Sequence, residues 1–146
     1  MKINYEFEKY DPHISKFVIM SATLADAVDD FCKAKNYSAK RRYLLIDYLC
    51  EYRAFIRNKE IKSAIRNLSW DRPLSSYEQG ILSGYSEDVS YYELVLTRFE
   101  KAHPKIVRDA IETELLREYM ELGRLEGKKT GAEEVDHLET LHELYH

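Results

Sequence analysis

The feature that most constrains this chain is the spacing of its apolar residues. From Ser21 onward they recur three and four positions apart, the period of one face of an α-helix. Leu24, Ala27, Val28 and Phe31 form the first series, with Asp26, Asp29 and Asp30 falling between them. Ser21 or Thr23 supplies an acceptor for the free amides at its start, and Asn36 is a stop. Ser38 reads as the N-cap of a longer helix with the stripe Leu45, Leu49, Tyr52 and Ile56, widened by Leu44, Tyr48 and Phe55. The stripe slips after Ile56 and resumes at Ile61, Ile65 and Leu68, which predicts a break or kink near Asn58.

Residues 71 to 75 are a short linker containing Pro73. Helical spacing returns at 78 to 82, weakened by Gly80 and Gly84 because glycine disfavours helix by about 1 kcal/mol. A further helix is predicted over 90 to 102. Pro104 suits the first turn of the next one, where its missing N–H is harmless. Val107, Ile111, Leu115, Tyr119 and Leu122 carry that helix to about Gly123. Gly123, Gly127 and Gly131 read as punctuation in a basic connector, and Thr130 with Glu133 as a capping box. The last helix then shows Val135, Leu138, Leu141 and Tyr145.

The first residues follow a different rule. Ile3, Tyr5 and Phe7 alternate with Asn4, Glu6 and Glu8, the period of a strand. Tyr10-Asp11-Pro12-His13 is a turn signal, and Phe17 to Met20 fits a return strand. The expectation is a mainly α fold: a single domain of five or six short helices over residues 1 to 146, with room for an N-terminal β-hairpin within 1 to 20. Within it, 21 to 70 is helical with a basic strip, and 130 to 146 is the C-terminal helix.

Composition excludes several classes. Apolar types make up 45% and the net charge is −4, which is too apolar and too little charged for a disordered chain. Two cysteines make no disulfide framework, and Cys32 and Cys50 read as buried free thiols. No apolar run approaches the roughly 18 residues of a membrane span, and acids interrupt the only stretch that could act as a secretory signal. A cytoplasmic protein with no membrane contact is expected.

Charge is unevenly placed. Residues 33 to 66 hold ten bases and three acids, a net of +7, while 112 to 146 hold ten acids and four bases, a net of −6. Clustered Lys and Arg suit phosphates or an acidic partner. The alternative is a solvated helix face balanced by acidic C-terminal helices folding against it. Arg42, Arg53 and Arg57 lie beside one another on a helical projection.

Two motifs carry functional expectations. Leu74-Ser75, Glu78, Ile81-Leu82 and Tyr85, followed by Val89-Ser90-Tyr91-Tyr92-Glu93-Leu94, give residues 74 to 115 a pattern. It resembles the helix-turn-helix of the fourth conserved region of bacterial sigma factors and of related phage late-gene transcription regulators. The resemblance implies a helix ending at the tyrosine, a short loop, and two further helices within 74 to 123. The second of these starts near His103, with Lys105, Arg108 and Asp109 outward and Val107 and Ile111 inward. Such a helix reads the major groove from its N-terminal end. Lys105, Arg108, Arg98 and Lys101 would then contact duplex DNA. Lys40, Arg41, Arg42, Arg53 and Arg57, on the strip from 40 to 62, would hold phosphates beside them. The protein would be a small non-catalytic regulator, dimeric and without a cofactor. A helical hairpin in the core shares the same apolar spacing.

The second motif, His142-Glu143-Leu144-Tyr145-His146, matches H-E-x-x-H. On a helix, His142 and His146 share a face and could bind zinc, with the glutamate as general base. A zinc-dependent hydrolase is therefore a remote alternative, although the motif sits where helix ends fray. Twelve tyrosines, several on apolar stripes, keep a protein-binding or inhibitory interaction module in play.

Overall fold

The computed structural model describes residues 12 to 145. Five α-helices account for nearly all of them: α1 (Pro12–Ala34), α2 (Ala39–Asn67), α3 (Ser76–Ala102), α4 (Pro104–Glu112) and α5 (Leu115–Tyr145). A single 3₁₀ turn, Leu68–Trp70, leads out of α2, and no strand occurs among the described residues. The mainly α expectation holds with five helices among the described residues. Four of them run to 23, 29, 27 and 31 residues and are not the short helices expected, because their apolar stripes continue through the predicted breaks. The expected first strand lies outside the described residues, and the segment expected to return as its partner, 17 to 20, is a continuous part of α1.

Local chemistry sets the helix ends. Asn36 takes a left-handed backbone (φ 52°), open to asparagine at low cost, and closes α1 with Tyr37 N–H donating to the Cys32 carbonyl at 2.9 Å. The Ser38 hydroxyl accepts from the Arg41 amide at 3.2 Å and starts α2, as the sequence predicts. Ser75 and Glu78 form a reciprocal capping box at the start of α3. Glu78 is also gripped by both ends of the Arg72 guanidinium, at 2.7 and 2.6 Å. That grip is the main reason its buried carboxyl is lowered to about 2.

Three sequence expectations are corrected. First, α2 runs unbroken through Asn58, which is buried rather than at a kink. Second, no loop follows Tyr85. Residues 76 to 102 are one 27-residue helix, and the chain breaks at His103, just before Pro104. Third, Gly123, Gly127 and Gly131 do not punctuate a connector. All three are buried inside the 31-residue helix α5, and Thr130 and Glu133 lie in its interior rather than at a cap.

The glycines explain the slipped stripe on α2. A Cβ on Gly123 would meet the Arg53 carbonyl group and lie 3.1 Å from Arg53 Cα. On Gly127 it would lie 2.7 Å from the Arg57 carbonyl oxygen and 2.6 Å from Glu60 Cβ, and on Gly131 3.0 Å from Ala64 Cβ. Helices α2 and α5 thus run in the same direction with their backbones in near contact. Opposite the glycines α2 packs on the backbone of α5, and Arg53, Arg57 and Glu60 stand there in place of apolar residues.

Two apolar clusters fill the remaining space. One gathers Val28, Cys32, Leu45, Tyr48, Leu49, Leu96, Ile106, Ala110 and Leu115. Within it Tyr48 stacks on Phe99 (4.7 Å between centroids) and donates to Glu100 at 3.2 Å. The second, at the other end of α2, joins Ile61, Ile65 and Leu68 to Leu138. Helix α3 lies antiparallel along α2 and spans both. Cys32 is buried as expected, whereas Cys50 is exposed.

Candidate nucleic-acid interface

Two regions that are far apart in sequence meet at the start of α4. The turn between α1 and α2 places Tyr37 beside α4, where its hydroxyl donates to the Asp109 carboxylate. Burial, then this bond, raises the Tyr37 pKa and keeps the hydroxyl protonated as the donor. The bond ties the front of α2 to α4, and a groove of about 370 Å³ lies between them. Its basic lining is Lys40 and Arg41 from the first turn of α2 and Lys105 from the first turn of α4.

The groove is suited to anions for a second reason. No side chain caps the start of α4, where His103 is held over Phe99 (4.8 Å between centroids). The first amides of a helix have no partner within it and carry the positive end of its dipole. Lys40, Arg41 and Lys105 are all exposed and make no ion pair with another described residue. The arrangement can hold phosphates, with His103, Tyr37 and Ser38 also in the groove lining.

The other sequence-predicted residues are dispersed. Arg108 is exposed on α4 but does not line the groove. Arg98 and Lys101 are exposed on α3, also outside its lining. Val107 is half-buried, but Ile111 is 58% exposed. The inward residues of α4 are Ile106 and Ala110, one position earlier than expected. Arg42 pairs with Asp29 on α1. Arg53 and Arg57 both reach the Glu126 carboxylate, at 3.0 and 3.3 Å. Those two arginines are thus engaged at the α2–α5 seam, away from the groove lined by Lys40, Arg41 and Lys105. Here the acidic C-terminal helix does fold against the basic strip.

At the opposite end of the bundle His142 lines an apolar pocket of about 350 Å³ with Tyr77, Leu138, Leu141 and Tyr145, and His146 lies outside the described residues. No group of three or more His, Cys, Asp or Glu side chains placed to hold a metal occurs among the described residues. No described helix is long and apolar enough to cross a membrane.

Sequence reasoning missed Tyr37, Asp109 as its acceptor, and Glu126. Their partners lie about seventy positions away in each case, and only the fold connects them. Set against protein-family models, curated proteins and solved structures, the chain matches none.

Proposed function

We propose that the chain is a non-catalytic helical protein that binds duplex DNA through its phosphates, using the groove between the starts of α2 and α4. The observation that carries this reading is the convergence of Lys40, Arg41 and Lys105 on one groove beside an uncapped helix start. The finer reading is a transcription regulator of phage type in which α4 reads bases. It rests on the exposure of Lys105 and Arg108 on that helix. In this reading α3 and α4, joined at His103, are the two helices of the motif, with α3 much longer than the resemblance implies.

The test is duplex binding measured over a salt series. Each phosphate contact contributes about one to the slope of log affinity against log salt. The triple variant Lys40→Ala, Arg41→Ala, Lys105→Ala is expected to lower that slope by about three and to weaken binding at low salt. Arg53→Ala with Arg57→Ala should leave the slope unchanged, because those side chains serve Glu126. Parent and triple variant binding alike would end the proposal.

One observation favours a second reading, a protein-binding module. Tyr77 and Tyr145, 60% and 81% exposed, flank the apolar pocket over Leu138. In that case Tyr145→Ala, not the groove variant, abolishes binding to the partner, and the interaction withstands salt.

A further inference from the structure

We infer that the outward face of α3 is the interface of a two-fold symmetric dimer of this chain, with α3 packed antiparallel against α3 of a second copy. Gly84, Glu87, Tyr91, Leu94, Arg98 and Lys101 follow one another at alternating steps of three and four residues, and all six are exposed. That alternation is the seam spacing of a helix that packs lengthwise on another helix. The inward face of α3 is already occupied, with Val89 and Leu96 buried in the bundle. The helix therefore carries two seams, and the described residues of one chain use only one.

The outer seam is self-complementary. With the two-fold axis between positions 91 and 94, Tyr91 lies on Leu94 of the second copy. Glu87 then faces Arg98 of the second copy, and Gly84 faces its Lys101. By symmetry each pairing occurs twice, which is the signature of an isologous contact. Tyr91 and Leu94, 63% and 48% exposed, provide the apolar centre. Glu87, Arg98 and Lys101 form no ion pair with any described residue. A parallel pairing would set Glu87 against its own copy and Arg98 against its own copy, so charge selects the antiparallel one.

Gly84 fits the same arrangement. A Cβ there would meet no described atom within 4 Å, so no contact among the described residues accounts for glycine in mid-helix. The open surface leaves room for the aliphatic stem of Lys101 of the second copy.

The experiment is sedimentation velocity on the full chain over a micromolar to submillimolar range. The parent is expected to dimerise with concentration. Glu87→Arg and Arg98→Glu should each weaken the dimer by about tenfold or more, because each places like charges face to face. An equimolar mixture of the two variants should recover a heterodimer. There the arginine introduced in one copy meets the glutamate introduced in the other, and the unchanged Arg98 of the first meets the unchanged Glu87 of the second. Leu94→Ser should be monomeric, and circular dichroism checks that each variant is folded. A parent that stays monomeric throughout, a dimer that neither charge reversal weakens, or a mixture that fails to recover it overturns the inference. Glu87→Arg leaves the α2–α4 groove intact, so losing the dimer and losing DNA binding are separate outcomes.

Discussion

Replacing Gly123 by alanine is expected to destabilise the fold by about 3 kcal/mol, and replacing Gly127 by leucine to prevent folding. The added Cβ at position 123 runs into the Arg53 carbonyl group, and at 127 into the Arg57 carbonyl oxygen and Glu60 Cβ. These are backbone atoms and a Cβ of another helix, so no flexible side-chain end can swing away. The whole α2–α5 seam would have to open, and with it the Arg53–Glu126 and Arg57–Glu126 pairs. Gly80→Ala should act in the opposite sense. A Cβ there meets nothing within 4 Å, and alanine favours helix over glycine by about 1 kcal/mol. Urea unfolding followed by circular dichroism in dilute solution measures both. An unchanged midpoint for Gly123→Ala would refute the close seam.

Removing the Glu78 side chain should cost about 3 kcal/mol at neutral pH. Glu78→Ala deletes half of the capping box and leaves the Arg72 guanidinium without its carboxylate. The effect depends on pH in a defined direction. The folded carboxyl sits at about 2, below its ordinary value of 4.5. A lowered folded value means that the stabilisation is fully present above about pH 4.5 and is lost as pH falls towards 2. Parent and variant should therefore differ most near neutrality and converge near pH 2. A gap in unfolding free energy that stays constant across that range would show that the ion pair is not its source.

Much of the helical framework was legible because periodicity is a local property. Ser38 and Pro104 announced helix starts, and Leu45, Leu49, Ile61, Ile65 and Leu138 were recognisable as core from their spacing. The glycines were misread because one residue type serves opposite purposes. It ends helices by tolerating unusual backbone angles, and it lets helices touch by lacking a side chain. The four-residue interval between Gly123, Gly127 and Gly131 places them on one helical face, and that interval was the available signal for contact. At the candidate groove, Lys40, Arg41 and Lys105 could each be nominated separately. Their meeting depends on the Tyr37 to Asp109 bond and on where α3 delivers α4, neither of which a helical projection contains. Arg53 and Arg57 looked no different in sequence from Lys40 and Arg41. Glu126 distinguishes them, and it lies on the far side of α3 in the chain.

The shared direction of α2 and α5 governs the order in which the molecule can assemble. Two neighbouring helices that point the same way cannot be joined by a tight turn, so an intervening rod must carry the polypeptide back to its starting end. Arg53 waits seventy positions for Gly123, and Arg57 as many for Gly127. The hairpin of α2 and α3 can zip early from the Arg72–Glu78 corner, whereas α5 docks only once that return is complete. Closing so long a loop costs chain entropy before any contact offsets it. Acquisition of the native state is accordingly paced by the arrival of its last helix, and this small bundle should fold more slowly than one built wholly from adjacent antiparallel pairs.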